Sequence, residues 1–236
     1  MPFAVLPALI PDIKPLYDTY FSAFTADPDG RKILEILFPD GYTSDEFRKA
    51  HTEGTLAWLH KAESQYTWKC VDVATGEIVG MALCDVFIQP KATKEERAYP
   101  GIPWLAGEQR ERADQILGPL CEAREKVMGG GAYICKFLGS GNDECWKDVH
   151  AIAVDPKHQG RGAGAMIVKQ LVNLSNDSNL PIYLESSASA EGLYKKMGFV
   201  RVPKEKASVV HSKEVLGTET DVEVPLMIKT PARTGL

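Results

Sequence analysis

The sequence has no excess of positive charge: 27 lysines and arginines stand against 32 aspartates and glutamates, a formal net charge of −5. Such a chain offers no basic field to hold a phosphate backbone, so no nucleic acid is expected as a partner. Cysteine is scarce as well. The five residues Cys70, Cys84, Cys121, Cys135 and Cys145 form an odd set without a CxxC pair or histidines at metal-ligand spacing. That excludes a disulfide-stapled scaffold, makes zinc and other metals unexpected, and reads as free thiols in a reducing compartment. Long hydrophobic runs are also missing. The opening MPFAVLPALIP stops early, carries three prolines and lacks a basic n-region, so neither a membrane span nor a signal peptide is expected. These absences together point to a soluble, cytoplasmic protein with no membrane partner. No internal repeat or low-complexity tract is present.

What remains is ordinary globular texture: 236 residues, 44% hydrophobic and 25% charged. That suffices for one core, and a single domain over 1–236 is expected. Phe3 to Leu9 suits an edge strand between prolines. Ile13, Leu16, Tyr17, Tyr20, Phe21 and Phe24 recur at helical spacing. Asp27-Pro28-Asp29-Gly30 breaks the chain, and a second helix begins near Thr43, with Thr43 and Glu46 as a capping box, and runs toward Ala62. YTWKCVDV and IVGMALCDVFI around Ala74–Glu77 read as a hairpin. Residues 89–131 are charged and proline-containing, and are taken as an insertion with a helix over Leu105–Val127, broken or kinked at Gly118-Pro119.

The C-terminal part has a sharper pattern. A strand over Trp146–Val154 leads into DPKHQGRGAG, a helix over about 162–176, a strand at Ile182–Ser186, a helix over about 188–197 and GFVRV. A last strand is expected in 219–229. Gly160, Gly162 and Gly164 sit between strand and helix, where glycine lets successive backbone N–H groups approach one anion and the helix N-terminus adds a favourable field. No GxxxxGK[S/T] occurs, which excludes a P-loop. Gly160-Arg161-Gly162-Ala163-Gly164-Ala165 also fits the dinucleotide fingerprint, with Glu185 about 20 residues on. The polar spacer DPKHQ and the lack of repeated βαβ units count against that reading.

Gln159-Gly-Arg-Gly162-Ala-Gly164, with HAIAVDPKHQ before it and YLESSASAEGLYKKMGFVRV after it, resembles the Q/R-x-x-G-x-G/A block and the following strand and helix of the GNAT superfamily of N-acetyltransferases. The resemblance covers about residues 146–202. It implies an α/β (α+β) fold: a mixed, mostly antiparallel central sheet flanked by helices and splayed between the fourth and fifth strands. It implies acetyl-CoA as cosubstrate, with backbone groups of Ile152, Ala153 and Val154 pairing with the pantetheine arm. The pyrophosphate would be cradled by Gln159, Gly160, Arg161, Gly162, Ala163 and Gly164, with Arg161 or Lys157 nearby. Ser187 or Ser189 would hydrogen-bond the pantetheine or cap the next helix, the cap being favoured for Ser189.

Transfer to an amine needs a base for the ammonium proton and an acid for the thiolate. Tyr194 in LYKKMGF stands where the family has its tyrosine acid. Two base candidates remain open. His150, in DVHAIAV, resembles the arylalkylamine N-acetyltransferase branch, which has a second histidine where this chain has Asp148. Glu185, in LESS, resembles the puromycin N-acetyltransferase branch. The expected reaction is transfer to a primary amine of a small molecule by a monomer or homodimer; a protein or peptide acetyltransferase and a non-catalytic acyl-CoA sensor are the alternatives. The acceptor pocket is expected from the first helices and the insertion, with Trp58, Phe87, Tyr99, Trp104 and Trp146 available to line it.

Overall fold

The computed structural model describes residues 2–59, 64–88, 99, 101–136 and 151–232. In chain order the described elements are β1 (Phe3–Pro7), α1 (Ile13–Ala26), α2 (Pro28–Leu37), α3 (Asp45–Leu59), β2 (Gln65–Asp72), β3 (Ile78–Phe87) and α4 (Gly107–Met128). There follow β4 (Tyr133–Lys136), β5 (Ile152–Val154), α5 (Ala163–Ser178), β6 (Ile182–Glu185) and α6 (Glu191–Lys196). The chain ends with β7 (Val200–Arg201), β8 (Val209–His211), α7 (Lys213–Leu216), β9 (Val222–Val224) and β10 (Leu226–Lys229).

The first helix buries the stripe its period predicts: Ile13, Leu16, Tyr17, Tyr20 and Phe21. Asp27-Pro28-Asp29-Gly30 does more than break the chain. Asp27 accepts the Gly30 N–H at 2.8 Å, and Pro28 takes the first helical position, where its missing N–H costs nothing. The same residues therefore end α1 and start α2, a helix the sequence reading missed. At α3 the cap is Ser44, whose Oγ accepts the Phe47 N–H at 3.1 Å, one residue beyond the expected Thr43, and Phe47 cannot complete the expected capping box.

The main sheet runs β1-β2-β3-β4-β6-β10-β7, with β5 also beside β3. Every pairing is antiparallel except β4 with β6. One face packs against α1, α2 and α4 through Tyr20, Phe21, Leu34, Leu117 and Tyr183. The other packs against α5 and α6 through Ile167, Leu171, Leu184, Tyr194 and Phe199. The expected tail strand is two strands parted by Pro225: β9 pairs with β8 in a separate hairpin, and β10 enters the main sheet.

Pro119 lies inside α4, so of the break or kink expected there the break does not occur. A proline in a helix interior costs roughly 3 kcal/mol. Ile116, Leu117, Leu120 and Cys121 flank it and are all buried, and each large apolar side chain so buried contributes about 1.5–3 kcal/mol. Packing outweighs the local defect. α4 belongs to the same apolar cluster as α1 and α2. No helix among the described residues is long and apolar enough to cross a membrane.

His211 on β8 is buried, and its Nδ1 has no hydrogen-bond partner among the described residues. Burial pushes its pKa down to about 4. The unfolded chain, with an ordinary histidine pKa near 6.5, therefore takes up a proton before the folded one does. Stability should be full above pH 6.5 and fall as the pH drops toward 4, by on the order of 3 kcal/mol. Urea midpoints of the wild type and His211→Asn across that window check this. An equal acid sensitivity in both would contradict it.

Candidate active site

The site begins with a strand lane shared by two separate segments. β5 pairs with β3 as Gly80↔Val154, Met81↔Ala153 and Ala82↔Ile152, and Leu83 N–H donates to the Ala151 carbonyl at 2.8 Å. Farther along the same side of β3, Asp85, Val86 and Phe87 pair with Cys135, Ile134 and Tyr133 of β4. Opposite Asp85–Phe87 the lane thus belongs to β4. The expected strand over Trp146–Val154 is described only at Ile152–Val154. His150, Asp148 and Trp146 lie outside the described residues.

The two segments differ on their other edge. β4 pairs in parallel with β6, through Ile134↔Ile182, Cys135↔Tyr183 and Lys136↔Leu184. β5 pairs with no described strand there. Antiparallel bonding alternates along a strand. With Ala151 and Asp155 bonded to β3, the backbone N–H and C=O groups of Ile152 and Val154 point to that open edge. Among the described residues the sheet thus opens between β5 and β6.

At the end of β5 the chain turns through 156–158 into the glycine loop. Asp155 accepts the Lys157 N–H at 2.9 Å, and Gln159 Nε2 donates to the Val154 carbonyl at 3.0 Å. Gly160 and Gly162 have φ of +71° and +95°, a region L residues avoid. Gly162 caps α5 without any side chain in the cap, so the first amides of the helix, from Ala163 and Gly164, face outward at its positive end. Lys157 is exposed. Arg161 turns back to the sheet: its Nη2 lies 3.4 Å from the buried Asp72 carboxylate, its Nη1 lies 2.9 Å from His158 Nδ1, and its guanidinium stands 5.5 Å over Phe3. It anchors the loop to β1 and β2, and the backbone forms the cradle.

Glu185 ends β6, one residue past the last β4 pairing, at the mouth of the opening. It shares the Tyr183 side of the sheet, under α4. Arg124 on α4 is buried there, with Cys135 and Cys121 sulfurs each 3.9 Å from its guanidinium. Burial works against its charge, but Cys135, Tyr133, Cys121 and Glu185 together hold its pKa above the ordinary value. Burial first, and then the Glu185 charge, push the Tyr183 phenol well up. Sequence reading passed over Arg124. Its signal was spacing, since Ala113, Leu117, Leu120, Cys121 and Arg124 fall on one helical face.

Tyr194 lies on the opposite face, buried in the α5–α6 cluster and edge-on to Phe199 at 5.4 Å. Glu185 and Tyr194 thus belong to different faces of the sheet. Ser187 is exposed and 3.0 Å from Ser189, Oγ to Oγ. Neither caps α6: Ala190 takes that position with no side-chain bond, which corrects the cap expected of Ser189. Among the expected lining aromatics, Trp104 donates Nε1–H to the Leu37 carbonyl and stacks on Phe38, Tyr99 donates to Asp114, and Phe87 packs on Tyr133. These bonds tie the segment around α4 to the core. Among the described residues no group of acidic, histidine and cysteine side chains could hold a metal ion.

Residues 120–201 match the acetyltransferase (GNAT) domain family. "Probable acyltransferase SID5" of Ajellomyces capsulatus is 23% identical over 133 residues, 56% of this chain and 80% of that protein. N-alpha-acetyltransferase RimI of Mycobacterium tuberculosis is 38% identical over 58 residues, 23% of this chain and 35% of that protein. The crystal structure of arylalkylamine N-acetyltransferase 2 from Aedes aegypti superimposes with a TM-score of 0.63, covering 98% of this chain and 100% of that one at 10% identity. That last likeness is one of fold.

Proposed function

We propose that this acyltransferase, whose residues 120–201 match the acetyltransferase (GNAT) domain family, moves the acetyl group of acetyl-CoA directly to a primary amine of a small molecule. The observation that carries this reading is the open edge of β5, which runs from the amide cradle at Gly160–Gly164 to the mouth where Glu185 stands. An extended pantetheine arm would complete the missing strand by bonding the backbone groups of Ile152 and Val154. The first amides of α5 would take the pyrophosphate.

The chemistry then needs protons moved off the amine nitrogen and onto the sulfur. An amine with a pKa near 10.4 gives up its proton at pH 7 at a cost of roughly 4–5 kcal/mol. Glu185 at the mouth, or His150, would accept that proton, directly or through water. The neutral nitrogen attacks the thioester carbonyl, the C–S bond breaks, the Tyr194 phenol would protonate the departing sulfur from the opposite face, and the second proton that the nitrogen loses as the amide forms would return the tyrosinate to phenol through water. A direct transfer fits the thiols. All four described cysteines are buried, and burial raises Cys70 to about 11, Cys121 to about 12, and Cys84 and Cys135 well above the ordinary value. None is suited to carry the acetyl group as a reactive thiolate.

Two measurements test this. Thiol release from acetyl-CoA across a panel of small primary amines and short peptides should give its highest kcat/KM with a small amine. A peptide optimum favours the protein-directed alternative, and acetyl-CoA binding without release on any acceptor favours the sensor. Gly162→Val should weaken acetyl-CoA binding by tenfold or more, since an L side chain in the left-handed region costs roughly 1–2 kcal/mol and would relax by moving the loop away from the conformation that presents its amides. Calorimetry with acetyl-CoA reads this, and unchanged affinity would remove the cradle from the account.

A further inference from the structure

The helical layer contains an open cavity of about 430 Å³ whose polar lining comes from Asp18, Ser22, Thr25, Arg31, Thr43 and Arg48. Its size suits a small molecule. Its charge is unbalanced. Asp18 is the one carboxylate in the lining, and its oxygens are divided between Lys14 Nζ at 2.7 Å and Arg48 Nη1 at 3.4 Å. Arg48 lies 4.0 Å over the Phe21 ring and otherwise bonds only carbonyls, Tyr42 at 2.8 Å and Tyr17 at 3.3 Å. Burial lowers its pKa, with Asp18 opposing. Arg31 donates Nε–H to the Thr25 carbonyl at 2.8 Å and meets no carboxylate among the described residues. Two guanidiniums thus face the one carboxylate of the lining, which Lys14 also engages from outside it, and the guanidinium forks have N–H groups left to give.

We propose that this cavity is an anion site for a phosphomonoester, separate from the backbone cradle at Gly160–Gly164. Guanidinium forks match phosphate oxygens in pairs, and the hydroxyls of Ser22, Thr25 and Thr43 supply neutral donors around them. The cavity also reaches the acyl-CoA loop. Pro156 forms part of its wall, and Ser22 Oγ donates to Asp155 Oδ2 at 3.3 Å, on the carboxylate that also holds the Lys157 N–H. An anion that takes the Ser22 hydroxyl competes with Asp155 and so bears on the loop's first turn. The phosphomonoester could be the 3′-phosphate of CoA or belong to a separate metabolite. Only the CoA arm of the test rests on the acyl-CoA reading.

The probe is inorganic phosphate, titrated calorimetrically against chloride at constant ionic strength. The wild type should bind it saturably, Arg31→Gln should weaken it at least tenfold, and Arg31→Lys should recover most of the affinity. Far-UV circular dichroism confirms that the variants fold, and Arg48→Lys provides a second variant that keeps the charge. Repeating the titration on protein preloaded with CoA or 3′-dephospho-CoA identifies the source. Blocking by CoA alone assigns the site to the 3′-phosphate, and blocking by neither assigns it to a separate anion. A non-saturating response, an Arg31→Gln isotherm equal to the wild type, or blocking by both compounds would overturn the proposal, the last because phosphate would then be reading the cradle.

Discussion

Replacing Tyr194 by phenylalanine is expected to lower kcat by about 10²–10⁴-fold, the range for loss of a positioned general acid, while acetyl-CoA affinity stays close to that of the wild type. The substitution is conservative where the ring packs. Tyr194 is buried against Phe199, and phenylalanine keeps that edge-on contact. What it removes is the O–H, which in the proposed mechanism would meet the sulfur as the C–S bond breaks. A thiolate leaving without that proton must be stabilised by solvent, which the gap between β5 and β6 would exclude once filled. Stopped-flow thiol release, with calorimetry on the same protein, separates kcat from binding. Unchanged turnover would remove Tyr194 from the chemistry, and a parallel loss of binding would make it a packing residue.

The second large effect concerns the base. Glu185→Gln is expected to lower kcat/KM by about 10²–10⁴-fold and to erase the acidic limb of its pH profile, because the amide can no longer take a proton. His150→Ala should keep that limb. The expectation rests on placement: Glu185 stands one residue beyond the last pair joining β4 to β6, at the mouth of the opening, with Arg124 beside it. Full pH–rate profiles of both variants decide it. A limb lost in His150→Ala and retained in Glu185→Gln would hand the role to the histidine.

The parts of this molecule legible in its sequence are those written by neighbouring residues. The glycine loop carries its strand, its turn and its helix within a short stretch, and the structure places each of them together. The hairpin of β2 and β3 was equally local, its turn held by Asp72, which accepts the Ala74 N–H at 3.0 Å. The parts missed depend on distant partners or on a residue with two uses. Asp27-Pro28-Asp29-Gly30 is a breaker in one context and a helix start in the other, and only the burial of Leu34, Ile36 and Leu37 decides for α2. β4 is four residues long and follows three glycines. Its place between β3 and β6 comes from pairing across the fold, which spacing does not reveal. Pro119 signalled a break because its cost is local, whereas the burial that offsets it is tertiary. Arg124 could have been found by counting helical positions, but a charge on an apolar face is read as surface until α4 is seen to lie over β6.

The central claim, direct transfer within one complex, is tested most directly by initial rates measured over a grid of acetyl-CoA and amine concentrations. Reciprocal plots should intersect, as both substrates must be bound before the acetyl group moves. Parallel lines would mean that the acetyl group rests on the protein between two half-reactions, and would contradict the account.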